Sequence, residues 1–546
     1  MDNLTVILVM LVAVVVGGAL SRLSPFPAPT PLVHIAIGAL IAAVAPLGME
    51  LQPEVFFLLF LPPLLFLDGW RIPKEGLFRD AGTILEFAFG LVFFTVVGVG
   101  FFINALIPAM PIAVAFALAA VLSPTDPIAV ASVAKRTPIP KRLMHILEGE
   151  SLLNDASGLV CMRLAVAAAL TGSFSLLNAS ATFVWLIVVG VVAGVGVTLA
   201  VASLKQLVAR RAGEETGSQI LISLLIPFGA YLLAERLHGS GILAAVAAGI
   251  TMSYVEQGGH ALPVTRVRRA AFWDAVQFSA NGAIFVLLGE QLPRIVAGAA
   301  QAVRETGHHE PAWLVIYVIA INVALLSLRF AWAWVSLKFV LFRAARRGQP
   351  LEAPSWRLVA ATAIAGARGT ITLAGVMTLP LAMYNGAPFP ARDLAIFLAS
   401  FVIVVSLVAA SAGLPFLLKG VELPPEPSHQ LAEDRARVAA AQAAIIAVGA
   451  AQHRLGARRG DADLYAEAGA RIMAFYRGRI DARSKNGEEA DLAREAEAIE
   501  RELRLAGLRA ERAEYFRLAR GRELPDETTR KLVREVDLVE SQISTS

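Results

Sequence analysis

Runs of about twenty apolar residues recur along most of this chain, and a run of that length is what an α-helix needs to cross the hydrocarbon core of a bilayer. They lie near residues 4–20, 31–47, 53–68, 83–107, 112–134, 142–170, 182–204, 218–235, 239–254, 271–289, 312–338, 358–383 and 393–418. In hydrocarbon every backbone N–H and C=O must be bonded within the protein, which confines such segments to helices. The expectation is an all-α polytopic membrane protein of about 13 transmembrane helices. Charged residues make up only 17% of the chain, against roughly 25% in a soluble domain. The first run is too long for a signal-peptide core and has only Asp2 ahead of it. It reads as a retained helix.

The charges are unevenly placed. Apolar runs continue to about Lys419, and beyond Leu423-Pro424-Pro425 the chain becomes rich in Ala, Arg and Glu. That shift divides a membrane domain, 1–420, from a helical tail, 421–546. Stretches such as 432–448 and 492–512 combine good helix formers with interleaved signs, and Ser484–Gly487 and Leu524-Pro525 read as breaks between helices. Alternate loops of the membrane domain carry Arg22; Arg71, Lys74 and Arg79; Lys135, Arg136, Lys141 and Arg142; Lys205, Arg210 and Arg211; Arg266, Arg268 and Arg269; and Arg343, Arg346 and Arg347. The opposite loops carry only Arg236, Arg294, Arg304 and Arg392. The positive-inside rule makes the first set cytoplasmic, with the N-terminus outside and the tail inside. The net charge of +4 comes from these loops. No basic run is interleaved with aromatics as nucleic-acid binding requires. A single cysteine, Cys161, can form neither an internal disulfide nor a metal site alone.

An ionisable group within such a segment is costly and needs a reason. The fifth segment contains Ser123-Pro124-Thr125-Asp126-Pro127. Two prolines flanking Thr-Asp break a helix, because proline lacks the N–H and clashes with the preceding turn. Asp126 followed by Pro127 also reads as a helix start, N-cap then first position. Two half-helices meeting end to end are expected, with carbonyls near Leu122 and Ser123 freed for a cation. A proline-kinked structural helix is the plainer alternative. The sixth segment opens with His145-Ile146-Leu147-Glu148-Gly149-Glu150-Ser151-Leu152-Leu153-Asn154-Asp155. Glu150 and Asn154 are four apart, as are Ser151 and Asp155, which makes one polar flank on a helix. Asp155 lies well inside an apolar stretch running on to Leu170. Burial there favours the neutral acid and a bound cation favours the carboxylate, so one group holds either a proton or a cation. That competition is the physical basis of exchange; a satisfied buried aspartate is the alternative.

The twelfth segment contains Gly366-Ala367-Arg368-Gly369-Thr370. Arg368 stays charged and must find acceptors, and its glycines would let the backbone unwind. A packing arginine without a transport role is the alternative. The two interrupted segments are seven apart in order, which suits two inverted six-helix repeats, 1–6 and 8–13, joined by segment 7. Paired broken segments point to the site of a secondary transporter. A cation channel instead needs rings of acids or carbonyls along a continuous path. An intramembrane enzyme is also disfavoured: His145 and Glu148 lack the second histidine of H-E-x-x-H, and no G-x-S-x-G occurs.

With these residues in view, the chain resembles the electroneutral sodium/proton exchanger branch of the cation:proton antiporter superfamily. The resemblance rests on "SPTDPIAV", "HILEGESLLNDA" and "GARGTITLAGV" in order, with "FLPPLLFLDGW" at Phe60–Trp70 similar to the family's third-helix motif. It covers roughly residues 4–419. It implies a thirteen-helix fold with core and dimerisation domains, a homodimer with an elevator-like movement, and exchange of Na+, possibly Li+ or K+, for H+ in pH homeostasis, without a cofactor. Asp155 is then the ion- and proton-binding carboxylate, and Asn154 matches the Asn-Asp pair of one-for-one exchangers. Thr125 donates ligands at the break and Ser151 helps hold the ion. Glu150 and Asp126 support the site, and Arg368 balances the crossing helix ends. Arg329 resembles a structural arginine of the eleventh helix. In the third-helix motif the acid is expected directly after "PPLLF", where this chain has Leu67 and places Asp68 one residue later. One residue rotates a side chain by about 100°, so Asp68 stands as a structural candidate only. Glu86 and Arg163 are further apolar-flanked charges without an assigned role.

Overall fold

A computed structural model describes residues 3–23, 29–44, 53–127, 130–131, 139, 141–172, 175–213, 215–257, 262–298, 303–304, 310–346, 355–419, 429–456, 462–484 and 488–544. They are helical with short connections, and no strand is present among the described residues. The chain forms two compact units, Met1–Leu423 and Pro424–Ser546.

In the first unit, α1 (Asn3–Leu23), α2 (Thr30–Val44) and α3 (Pro53–Arg71) precede the short α4 (Lys74–Arg79). Next come α5 (Ala81–Leu106), which carries a π-helical turn at Glu86–Leu91, α6 (Ile112–Leu122) and α7 (Lys141–Thr171). Then follow α8 (Leu176–Ala212), α9 (Thr216–Arg236), α10 (Gly241–Gln257), α11 (Pro263–Ala297) and α12 (Ala312–Arg346). The unit ends with α13 (Trp356–Ile364), α14 (Thr370–Met377) and α15 (Arg392–Leu418). Among the described residues eight of these are long and apolar enough to cross a membrane, and α2 and α6 are shorter apolar helices. Each predicted apolar segment coincides with a helix, the twelfth with the pair α13 and α14. The second half-helix of the fifth segment, the loop residues Lys135, Arg136 and Arg347, and the Leu423-Pro424-Pro425 boundary lie outside the described residues.

The outward faces are apolar. Along α8, Val184, Val188, Val192 and Leu199 are each about half or more exposed. A row of this kind on a soluble monomer would aggregate; in a bilayer it meets lipid. At the centre lies α6, whose residues from Ala117 to Leu122 are all buried. A helix apolar all round is one surrounded by other helices.

Two helix pairs approach closely through a glycine on each partner. α2 packs on α11, where a Cβ on Gly38 would overlap the Val286 carbonyl and one on Gly289 the Ile35 carbonyl. α3 packs on α10 in the same manner, with Gly69 against Val246 O and Gly249 against Phe66 O. Helices in lipid gain no hydrophobic drive from association, so close van der Waals contact through small residues holds them together.

In the second unit, α16 (His429–Gly456) and α17 (Ala462–Ser484) form an antiparallel pair, closed by an Arg483–Asp434 ion pair at 2.9 Å. α18 (Glu488–Arg520) packs on α19 (Asp526–Ser544), with Arg512 2.9 Å from Asp537. Leu524-Pro525 lies in the connection between these two; residues 485–487 of the other expected break lie outside the described residues.

Leucine at Gly38 or Gly289 is expected to destabilise the fold by at least about 1–3 kcal/mol, the range for overpacking a core. Leucine at Gly196, where nothing lies within 4 Å of the added Cβ, should leave thermal melting in detergent near that of the parent.

Candidate functional site: two broken helices facing an acidic cavity

The helix break expected at Ser123–Pro127 is present. α6 stops at Leu122, Ser123 turns its hydroxyl onto Ala120 O at 2.8 Å, and Pro124 to Asp126 are non-helical. Beyond them Ala131 N donates to Pro127 O at 2.7 Å, a helical turn. The second expected break is also present: α13 ends at Ile364 and α14 begins at Thr370, with Gly366 to Gly369 non-helical.

The two breaks meet. Asp126 N donates to Ala367 O at 2.7 Å, and the Asp126 carboxylate accepts from Thr370 N, the first residue of α14, at 3.4 Å. In return Arg368 Nε donates to Leu122 O, the last carbonyl of α6, at 3.0 Å, and Nη1 donates to Gly366 O at 2.5 Å. A negative group thus sits at one helix N-terminus and a positive group at one helix C-terminus, the signs that helix dipoles favour. Each charge comes from the opposite broken helix. Arg368 is 2% exposed and takes the Leu122 carbonyl expected to be freed for a cation. Its backbone N–H is held by Ser406 Oγ at 3.0 Å. The glycines of this segment serve close approach: a Cβ on Gly366 would crowd the Arg329 guanidinium, and one on Gly369 would overlap the Asp126 carboxylate.

Along α7 the expected single polar flank divides into two adjacent stripes. Glu150, Asn154 and Ser157 turn inward and are fully buried. Arg329 of α12 clamps Glu150 with two hydrogen bonds, Nη1 to Oε1 at 2.5 Å and Nη2 to Oε2 at 2.7 Å, while its Nε donates to Thr362 O of α13 at 3.2 Å. Thr125 Oγ1 donates to Glu150 Oε1 at 3.1 Å, and Asn154 Nδ2 donates to Thr125 Oγ1 at 3.0 Å. Ser157 Oγ donates to Ala88 O in the π-helical turn of α5 at 2.7 Å. The second stripe is Met144, Glu148, Ser151 and Asp155, spaced four, three and four residues apart, and it lines a cavity of about 530 Å³. Thr125, Asp126 and Thr370 line the same cavity, so Thr125 touches both stripes.

The remaining wall is α3 and α11, through Leu61, Leu65, Asp68, Gln277 and Asn281. Asp68 is exposed into this space. Arg71, Ile72, Pro73 and Ile139 line the cavity as well; Arg71 and the segment before α7 belong to the basic set of loops. Arg163 sits elsewhere, 3.2 Å from Glu235, and Glu86 lies in the π-helical turn away from the cavity lining.

With this geometry described, residues 8–420 match the family described as transmembrane sodium/hydrogen exchangers. The chain belongs to the sodium/hydrogen exchanger family. An Escherichia coli (strain K12) protein named uncharacterized Na(+)/H(+) exchanger YjcE is 40% identical over 549 residues, 99% of each chain. A Bacillus subtilis (strain 168) protein named sodium, potassium, lithium and rubidium/H(+) antiporter is 39% identical over 424 residues, 76% of this chain and 62% of that one. The sodium proton antiporter MjNhaP1 from Methanocaldococcus jannaschii has a solved structure at pH 8 with the same fold, TM-score 0.55, over 77% of this chain and 99% of that one, at 17% identity.

Within this exchanger fold the structure brings together every residue expected at the site: Thr125, Asp126, Glu150, Ser151, Asn154, Asp155 and Arg368. Two residues that the sequence left without a place at the site also meet it. Arg329 is 179 residues from Glu150, and no local pattern links them. Asp68 was set aside because of its register. Leu67, which holds the expected position of the acid, is fully buried in the cluster with Phe66, Ala244 and Trp273.

Removing one partner of a buried ion pair leaves an uncompensated charge and costs about 3–5 kcal/mol. Glu150→Leu and Arg329→Met are each expected to lower the melting temperature strongly, and the double variant less than either. Arg368→Ala, which strips two carbonyls of their donor, should lower both stability and flux. An unchanged melting temperature with full activity would make Arg368 peripheral.

Proposed function

We propose that this chain exchanges a monovalent cation for a proton across a membrane by alternating access, and that Asp155 carries both. The observation that supports this most is the placement of Asp155 on the cavity stripe of α7, beside the crossing of the two broken helices. There a carboxylate holds a proton or a cation in turn, because each neutralises the charge that the other needs. Asp155, Ser151 and Thr125 form the cation site, with Asp126 and Arg368 maintaining the break and Asn154 holding Thr125.

The stoichiometry is argued from the acidic and amide groups at the helix crossing itself. Glu150 is clamped by Arg329 with two charge-assisted hydrogen bonds, which commit both of its oxygens to the guanidinium. Asp126 is engaged at the start of α14. Asn154 is neutral. Asp155 then trades one proton for one monovalent ion, and exchange is electroneutral. Na+ is the first expectation. The Bacillus subtilis relative's name includes potassium, lithium and rubidium, which extends the expectation to a broad monovalent selectivity, including potassium/proton exchange.

The cavity reaches Arg71 to Pro73 and Ile139, on the side of the basic loops. In the orientation proposed from the positive-inside rule, N-terminus outside and tail cytoplasmic in the cell membrane, this is a cytoplasm-open state. The close pairing of α2 with α11 and of α3 with α10 through matching glycines supports an inverted repeat, since the same symmetry relates segment 2 to 9 and segment 3 to 10. Residues 1–420 act as the transporting domain, and a homodimer is the assembly in which it works.

Asp155→Asn keeps the shape and removes the titration, so cation-driven proton flux in proteoliposomes is expected to vanish while the protein stays folded. Normal flux in that variant removes Asp155 from the mechanism. Electroneutrality is tested by clamping the membrane potential with potassium and valinomycin: Na+ uptake should not respond. A reversal point displaced from equal gradients means that a second charge moves.

A further inference from the structure

Arg163, a charge inside the sixth apolar segment that the exchange chemistry leaves unused, sits beyond the point where the cavity ends. The lining of the cavity on α7 runs from Met144 to Asp155, and on α3 from Arg71 back to Leu61. Past Asp155 the packing is apolar. Met162 lies seven residues further on, on the same face of α7, and is only 5% exposed. Leu159 and Met162 share one buried cluster with Leu61 and with Ile242 and Val246 of α10, and α7 packs directly on α10. The space beside Asp155 is therefore shut on the side away from the basic loops.

Arg163 stands at the rim of this closure, about 12 Å along the helix from Asp155. Its Nη2 donates to Glu235 Oε1 at 3.2 Å. Glu235 is in the last turn of α9, next to Arg236 of the sparsely charged loops. The same Oε1 accepts from Gly241 N, the first residue of α10, at 3.3 Å. A carboxylate at a helix N-terminus has the sign that the dipole favours, so Glu235 is fixed to α10 by a bond of its own. α9 packs on α3, α10 and α11, the helices joined through paired glycines. The carboxylate thus belongs to that assembly, and the guanidinium to the helix that carries Asp155.

Opening the site on the opposite side requires α7 to part from α10, which separates the apolar layer and breaks this ion pair. We propose that Arg163 and Glu235 form a latch on the side away from the basic loops, closed while the site faces the cavity and released when the site opens the other way. The proposal rests on the alternating-access reading above. The latch carries neither proton nor cation; it sets how much of the time the site faces each side. Arg163 is about half exposed and Glu235 about a third, and an ion pair that meets solvent is weak. It biases the equilibrium severalfold without locking it, as a carrier that must leave each state requires.

The test uses Met162→Cys in a Cys161→Ala background as a reporter, with a membrane-impermeant maleimide added from the side away from the basic loops. Arg163→Gln, Glu235→Gln and the double variant should each speed labelling by the same factor, about three- to fivefold, because either change removes the one bond. Glu235→Gln keeps a carbonyl for Gly241 N, so the start of α10 is retained. Arg163→Lys, which keeps the charge, should restore most of the protection. In chains without the reporter, Arg163→Gln should lower the Na+ KM measured from that same side by about threefold in oriented vesicles, since apparent affinity rises with the population of the competent state. Unchanged labelling and KM in the folded single variants, additive effects in the double variant, or no rescue by lysine overturns the latch. So does a lowered Tm with flux slowed equally from both sides, the mark of a purely structural pair. A parent protein that shows no cation-dependent proton movement overturns the exchange reading instead, and the labelling rates still decide the latch.

Discussion

Everything at the centre of this protein depends on one reciprocal contact. Two helices are broken inside the membrane domain, and each break leaves polar backbone groups where no lipid can satisfy them. Leu122 O receives a guanidinium from Arg368, and Thr370 N meets a carboxylate from Asp126. Neither break is stable without the other, because each charge sits on the opposite broken helix. The crossing therefore behaves as a single unit. It offers Thr125 to the cavity on one face and to the Glu150–Asn154 stripe on the other.

The buried Glu150–Arg329 pair has a different task. A pair with both partners about 2% exposed or less gains little net stability, since desolvation offsets the attraction. Its value lies in what it prevents. Glu150 is one turn from Asn154, and an unpaired carboxylate there would be a second acid beside Asp155. Clamped by Arg329, it acts as a fixed anchor for Thr125 and Asn154, and it ties α7 to α12 and α13 around the site.

Much of this was legible in the sequence because it consists of local chemical contradictions. Prolines and an aspartate inside an apolar run, or an arginine between glycines in another, have few physical explanations, and the breaks, Asp155 and Arg368 could be picked out from them. What was not legible depends on distant partners. Nothing near Arg329 indicates that its acceptor is Glu150. Asp68 was left as a structural candidate because the acid expected after "PPLLF" shifts by one residue, and only the packing of Leu67 and Gly69 against α10 fixes which side chain faces the cavity. The glycine pairs were invisible for the same reason: a glycine in a membrane helix is common, and its partner carbonyl lies on a helix remote in sequence. The division of the α7 flank into two stripes likewise required knowing what surrounds it.

The π-helical turn at Glu86–Leu91 in α5 fits one extra residue into a single turn. On either side the helix keeps different company: the part before and within the turn packs closely on α7, the part after it on α6, and α12 meets both through Phe87, Leu91 and the residues beyond. A regular helix cannot change its facing direction without changing its length, and this turn gives α5 two facings on one axis. Ser157 closes the irregularity by bonding Ala88 O, three residues along from Asn154. Phase along α5 is therefore recorded at the site helix itself, and a shift in that phase would be transmitted to α7 at a point less than one turn from the Asn-Asp pair.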